Sequence, residues 1–145
     1  MKITIHEDPT LTDTEISISC SKVTPEIEQL VSAFALIDET VTGKKNEEIH
    51  FIPLQQIYYF EAVENKIFFY TKDESFETNI RLYELENRLQ KSTFARVSKS
   101  AIVNLKKIRV IQPDQNSRLM ATLLSGDKIV VSRSFVSLIK KKLGV

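Results

Sequence analysis

Hydrophobic residues recur along this chain with two different spacings, and each spacing predicts one kind of secondary structure. Alternation of apolar and polar residues over 2–7 and 15–20, around the turn-forming sequence DPTLTD, predicts a β-hairpin near the N-terminus. Thr24 followed by Pro25 predicts a helix start, because threonine caps helices and proline fits their first position. Spacings of three and four then place several apolar residues on one helix face, namely Ile27, Leu30, Val31, Phe34 and Ile37.

From residue 49 onward the pattern is mostly that of short β-strands. Nine segments rich in aromatic and β-branched residues, separated by polar turns, predict strands; they are 49–52, 56–62, 66–71, 75–80, 93–97, 101–104, 108–112, 118–124 and 128–132. Leucines at helical spacing predict a short helix over 81–90, and Ser134 precedes a second short helix. The polar stretch 40–48 predicts a connection or a loose hairpin. We place a domain boundary there, with an extension at 1–45 and a second domain at 46–145.

The distribution of charge changes this picture, although the net charge of the chain is only +1. Residues 1–90 contain 8 basic and 17 acidic residues, whereas residues 91–145 contain 12 basic and 2 acidic residues, so the two parts carry −9 and +10. So basic a segment is expected to have an anionic partner, and phosphate polymers are the commonest one. The alternative is a solvated basic face that is balanced by the acidic half of the chain.

Catalytic chemistry finds little support in the sequence. His6 and His50 have no second histidine or cysteine at metal-ligand spacing, and three glycines are too few for a phosphate-binding loop. We therefore predict no enzyme activity, no metal or other cofactor and no small-molecule substrate. The single cysteine, Cys20, cannot form an internal disulfide, and neither a signal peptide nor an apolar run of the roughly 20 residues that span a membrane is found. These observations predict a cytoplasmic protein.

The segment FARVSKSAIVN, residues 94–104, places the polar residues Ser98, Lys99 and Ser100 between two strand-like pieces. Hydroxyl and ammonium groups in a turn suit contacts with phosphates and base edges. The segment resembles the LytTR DNA-binding domain signature F-x-R-x-H-[RK]-S-x-[IL]-V-N, which is matched by Phe94, Arg96, Lys99, Ser100, Ile102, Val103 and Asn104. Residues 57–62 similarly resemble the I-x-Y-[IF]-E-A strand of that family. One departure is Ser98, where the family usually has histidine.

The resemblance implies a fold and a set of DNA contacts. The fold would be mainly β, an elongated antiparallel sandwich with two short helices, preceded here by the hairpin and helix of residues 1–45. Loops would enter successive major grooves, and the residues expected to contact DNA are Asn65, Lys66, Ser98, Lys99, Ser100 and Arg133. Arg133 suits a guanine edge and Lys99 a phosphate. Arg96 and Asn104 match the signature but alternate with core positions, so structural roles are expected for them.

The resemblance also implies a sequence-specific bacterial transcription regulator that binds repeated sites in double-stranded DNA as a homodimer. The residues before position 46 are too few for the receiver domain that many family members carry. The chain is thus similar to short stand-alone LytTR regulators, some of which a membrane protein holds inactive. Residues 1–45 would mediate self-association, bind such an inhibitor, or merely extend the core. The alternative function is a non-catalytic interaction module whose basic face binds an acidic protein.

Overall fold

The computed structural model describes residues 1–37 and 39–145, without the side chains of 32, 33 and 35–37. Residues 1–24 contain neither helix nor strand and are exposed throughout. The hairpin predicted from residues 2–7 and 15–20 is therefore wrong. Ile3 and Ile5 alternate as in a strand but remain 82% and 85% exposed. Because a two-stranded hairpin without a surface to cover is marginally stable in water, alternation alone does not create one.

The first helix, α1 (Pro25–Ile37), begins where the sequence predicts. The Ile27 amide donates to Thr24 Oγ1 at 3.4 Å, and the Glu28 amide donates to the Thr24 carbonyl at 3.0 Å. Thr24 is therefore the cap, which confirms the predicted start. The predicted apolar stripe is only partly covered, since Val31 and Phe34 are 53% and 40% exposed. The side chain of Ile37, which was predicted to lie on this stripe, is outside the described part.

A seven-stranded antiparallel sheet forms the body of the protein. Its strands lie in the spatial order β2 (Glu48–Pro53), β1 (Thr40–Lys45), β5 (Ser75–Thr78), β4 (Lys66–Tyr70), β3 (Tyr59–Val63), β7 (Ala101–Asn104), β6 (Phe94–Ser98). β1 and β2 form a hairpin whose turn residues, Asn46 and Glu47, have φ values of 51° and 66°. Such a turn matches the right-handed twist of the flanking strands. The boundary proposed between residues 45 and 46 lies within this turn, and the sheet continues beyond it to Thr40.

A helix covers one face of the large sheet, and a second sheet covers the part of the other face that β3, β7 and β6 form. Helix α2 (Leu82–Arg88) packs Leu82 and Leu85 against the first face. The second sheet, in the order β10 (Lys128–Val131), β9 (Leu119–Leu123), β8 (Ile108–Pro113), covers that part of the other face together with helix α3 (Val136–Leu143). This arrangement confirms the predicted mainly antiparallel β domain with two short helices. No helix in the described ranges is long and apolar enough to cross a membrane.

Strands β6 and β7 contribute to both cores. Phe94 and Ile102 belong to the core beneath α2, whereas Ala95, Val97 and Val103 belong to the core between the sheets. Every residue of β7 is buried. Alternate residues of a strand point to opposite faces, so β6 and β7 are packed on both faces. The turn between them therefore extends from a segment with a core on either side.

Candidate nucleic-acid interface

The three predicted contact segments lie at the same end of the large sheet. β3 pairs with β7 through Glu61 opposite Ala101, and the Ala62 amide donates to the Ser100 carbonyl at 2.8 Å. The β3–β4 turn therefore lies beside the β6–β7 turn. The Ser132 amide donates to the Val97 carbonyl at 2.8 Å, which places the junction between β10 and α3 beside the end of β6. The fold thus brings together all six residues predicted to contact DNA.

The β3–β4 turn presents two of these residues to solvent. Val63 pairs with Lys66, and Glu64 and Asn65 between them have φ values of 48° and 68°. Asparagine tolerates this left-handed conformation better than most residues. Asn65 and Lys66 are both exposed, so a ligand can reach their amide and ammonium groups.

The β6–β7 turn is held by a network of hydrogen bonds. Arg96 donates from Nε to the Ser98 carbonyl at 2.7 Å and from Nη2 to the Lys99 carbonyl at 2.6 Å, while Nη1 contacts Glu86 of α2 at 2.9 Å. Ser98 Oγ accepts from the Ser100 amide at 3.2 Å. The serine that replaces the family's usual histidine thus stabilises the turn itself. Lys99 is exposed and has no part in the ion pairs found among the described residues.

Arg133 begins the short 3₁₀ turn Arg133–Phe135 between β10 and α3 and is exposed. It lines an open groove of about 410 Å³ together with Asn116, Arg118, Ser132 and Ser134. Every side chain along this groove can donate a hydrogen bond, and two of them carry a positive charge. Such a lining suits phosphate oxygens and the acceptor atoms of base edges.

The sequence pattern did not single out the β8–β9 turn, which forms the other wall of this groove. Asn116 and Ser117 there have φ values of 59° and 62°. Arg118 contacts Asp114 at 3.2 Å through Nη2 and donates from Nε to the Gln115 carbonyl at 3.1 Å, so its side chain is fixed within the turn. Asp114, Gln115 and Asn116 predict a turn here. Arg118, two residues after Asn116, was the sequence signal that could have identified this turn as a contact segment. We call the four segments 63–66, 98–101, 114–118 and 132–134 the turn cluster.

Part of the basic charge lies away from the turn cluster. Lys140, Lys141 and Lys142 occupy the last turn of α3, where they interact favourably with the helix dipole. Lys107 lies over the Tyr58 ring, with Nζ 5.0 Å from its centroid. Within the described ranges no group of three or more His, Cys, Asp or Glu side chains could hold a metal ion. The turn cluster brings together the cations Lys66, Lys99, Arg118 and Arg133 from four separate segments, although most of the basic residues of 91–145 lie outside it.

Comparison with known proteins agrees with this geometry. The family described as the LytTr DNA-binding domain matches residues 47–144. This chain belongs to the LytTR family. A solved structure described as the LytTr DNA-binding domain of a methyl-accepting/DNA response regulator from Bacillus cereus is 30% identical to it, with a TM-score of 0.71. The match covers 74% of this chain and 99% of that one.

Full-length relatives of this LytTR protein occur in Staphylococcus aureus. A protein of strain MRSA252, named an uncharacterized HTH-type transcriptional regulator, is 28% identical over 147 aligned positions, which cover 100% of this chain and 99% of the relative. A protein of the same name from the bovine strain RF122 / ET3-1 is 27% identical over the same coverage. The likeness therefore includes residues 1–46, which lie outside the family match.

Proposed function

We propose that this LytTR protein is a sequence-specific transcriptional regulator that binds double-stranded DNA through the turn cluster. The observation that carries the proposal is the convergence of four separate chain segments, rich in exposed donors, at one end of the sandwich. The names of the staphylococcal relatives support a role in transcription. Turns that project from a rigid sandwich fit the grooves of a duplex, while the sheets remain outside it. Each turn then contacts a different part of the site.

The contacts would divide into two kinds. Arg133 would bind a guanine through O6 and N7, because its planar guanidinium matches that pair of acceptors. Lys99 and Lys66 would contact phosphates, which fix the register of the protein on the duplex. Ser98 and Ser100, which also bond to each other within the β6–β7 turn, would contact phosphates or base edges, and Asn65 would face a base edge or the backbone.

Two copies of the protein would bind repeated half-sites in the cytoplasm.

The exposed apolar residues of α1, Val31 and Phe34, offer a place where a membrane-protein inhibitor would bind. A pull-down with the protein encoded beside this regulator tests that contact. Loss of capture in a Phe34→Asp variant that still binds DNA is the expected result, whereas undiminished capture would exclude α1.

The DNA-binding proposal is tested by selecting the preferred duplex from a random pool and measuring affinity against salt concentration. A protein that neutralises several phosphates must show a steep decline of affinity with salt. Arg133→Ala should lose about 1–3 kcal/mol of discrimination at one or two base pairs, whereas Lys99→Ala should weaken binding to all duplexes alike. Arg109→Ala is the matched control, because Arg109 is exposed near the end of β8 that lies away from the turn cluster.

Two outcomes would count against these assignments at different levels. Equal affinity for every duplex together with a flat salt dependence would refute sequence-specific DNA binding. If the selected duplex binds tightly but Arg133→Ala behaves like Arg109→Ala, the function stands and the assignment of Arg133 is wrong.

A further inference from the structure

The β8–β9 turn holds Arg118 in a defined backbone position beside Arg133. Within this turn the Asp114 amide donates to the Arg118 carbonyl at 3.0 Å, and the Arg118 amide donates to the Gln115 carbonyl at 3.3 Å. The next residue, Leu119, is buried and pairs with the last residue of β10. Arg118 and Arg133 therefore lie just beyond the paired ends of two neighbouring strands, and their side chains line the same groove.

The side chain of Arg118 is held as well as its backbone. Nε donates to the Gln115 carbonyl at 3.1 Å and Nη2 lies 3.2 Å from Asp114 Oδ2, while 39% of the side chain remains exposed. An arginine guanidinium has five N–H groups, and these contacts use the one on Nε and one of the two on Nη2. Both N–H groups of Nη1 and the second one of Nη2 are therefore left for a ligand, at the outer end of a planar fork that is already fixed.

Asp114 lies at an unexpected place for an acidic residue. Residues 91–145 contain only two acidic residues, Asp114 and Asp127. Asp114 nevertheless belongs to the turn cluster, where the phosphates of a duplex would repel a free carboxylate. Its contact with Arg118 cancels that charge, so the pair as a whole attracts phosphates little. Lys99 keeps its full charge for a phosphate, whereas Arg118 offers a ligand direction and shape more than net charge.

A guanine edge suits these properties of Arg118 better than a phosphate does. O6 and N7 of guanine are two uncharged acceptors side by side, and the planar fork of an arginine matches both of them. Such a contact depends on the direction of the fork, and a fork that the protein already holds loses little freedom when it binds. A phosphate contact depends mainly on net charge, which Asp114 cancels here.

We propose that Arg118 binds a second guanine in the major groove through Nη1 and Nη2, and that Asp114 is the positioning residue that fixes its guanidinium. This inference rests on the proposed function, because it assigns a further specificity-determining residue of the same interface. Arg118 and Arg133 line one groove, so the base pairs that they contact lie within a few steps of each other. The preferred duplex therefore contains two close G·C pairs, one for each arginine.

Replacement of Arg118 by lysine separates a guanine contact from a phosphate contact, because lysine keeps the charge but lacks the planar fork. Arg118→Lys should lower discrimination about tenfold at one base pair, while affinity declines with salt as steeply as in the wild type. Fluorescence anisotropy measures this with the duplex that the wild-type protein selects and with duplexes that each change one of its base pairs. Arg109→Lys is the matched control, because the same change at the exposed end of β8 away from the turn cluster should leave every affinity unchanged.

Replacement of Asp114 by asparagine tests the positioning role. Asparagine has a similar size but no charge, so the Arg118 side chain is released and its charge is no longer cancelled. Asp114→Asn should lower discrimination at the Arg118 base pair by up to about fivefold, the worth of a partly exposed ion pair. It should at the same time raise affinity for a duplex of unrelated sequence and steepen the salt dependence. An equal loss of affinity for all duplexes would mean that Asp114 only stabilises the turn, and would refute its positioning role.

The same measurements distinguish failure of this inference from failure of the function on which it rests. Loss of discrimination in Arg118→Lys at a base pair that Arg133→Ala leaves unaffected is the expected result. Undiminished discrimination in Arg118→Lys, or a loss confined to the base pair of Arg133, would overturn the second guanine contact while the proposed function stands. A wild-type protein that binds every duplex equally would overturn both.

Discussion

Replacement of Arg96 by methionine should weaken DNA binding although Arg96 is not expected to contact DNA. The side chain is 20% exposed and donates to the carbonyls of Ser98 and Lys99, which form the β6–β7 turn. Methionine has a similar length and packs as well, but it cannot donate. Arg96→Met therefore removes the bonds that hold the turn and leaves the surrounding core intact.

The size of the effect follows from the contacts that are lost. Hydrogen bonds from a charged donor contribute about 1.5–3 kcal/mol each, and partial exposure brings the two carbonyl bonds to the lower end of this range. The pair with Glu86, whose side chain is 49% exposed, adds less than about 1 kcal/mol. The free energy of unfolding should thus fall by about 3 kcal/mol. Ordering even one released turn residue on binding costs about 1–2 kcal/mol, so affinity for DNA should fall about tenfold.

Urea denaturation and fluorescence anisotropy with a labelled duplex measure the two quantities. Glu86→Gln is the control, because it removes the ion pair and leaves both carbonyl bonds in place. It should cost less than about 1 kcal/mol of stability and leave DNA affinity unchanged. Wild-type affinity in a folded Arg96→Met protein, or an equal loss in Glu86→Gln, would refute the role given to Arg96.

Two further predictions concern stability. Asn104 is 3% exposed, donates to the Ile57 carbonyl at 3.1 Å and accepts from Thr93 Oγ1 at 2.8 Å. Asn104→Ala should therefore lower the free energy of unfolding, measured by urea denaturation, by about 3 kcal/mol, and Thr93→Val by about 1 kcal/mol. Equal losses in the two variants would contradict this ranking. Burial, and then the hydrogen bond to Glu61, raises the pKa of Tyr70 to about 12. The folded protein therefore retains that proton more strongly than the unfolded chain, and stability should decline between about pH 10 and 12. Tyr70→Phe should make the decline shallower, and an unchanged slope would contradict the assignment.

Most strands from residue 49 onward were predictable because they have a buried face and a clear turn at the end; β2 and β8 contain only exposed and half-buried residues. The sequence predicted a strand over 66–71, and β4 spans Lys66–Tyr70. Strand β7 spans Ala101–Asn104, as predicted. Strand β3 begins later than predicted, at Tyr59, because Leu54–Gln56 forms a 3₁₀ turn instead. Apart from such strand ends, local pattern and tertiary packing agree in this part of the chain.

Strand β1 was predicted only as part of a possible loose hairpin over 40–48, the alternative that the β1–β2 pairing confirms, because one of its two buried positions has no side chain. Val41 and Gly43 are buried, whereas Thr40, Thr42 and Lys44 are exposed. An added Cβ at Gly43 would lie 2.6 Å from Phe69 Cζ, so the close approach of the Phe69 ring requires glycine. A pattern based on apolar side chains cannot detect a position that packs through its backbone. The hairpin predicted within residues 1–24 was wrong for the opposite reason, because its alternating apolar residues have no surface to cover.

The candidate site was predicted through the family resemblance more than through charge. The basic count of residues 91–145 pointed to an anionic partner but gave no location. Asn65 and Lys66 lie outside that segment, and only the pairing of β3 with β7 places them beside Ser100. Arg118 was missed because its importance depends on the groove it shares with Arg133, and that groove joins residues distant in sequence.

The complete burial of β7 has a consequence for how such regulators diversify. Most of the recognisable signature, from Phe94 to Asn104, consists of residues that fill two cores or fasten a turn, so the signature records the requirements of folding. Lys99 and Ser100 are the exposed positions within it. Target preference can therefore drift through a handful of turn residues while the surrounding sequence stays recognisable. Two proteins with the same signature need not regulate through the same DNA sequence.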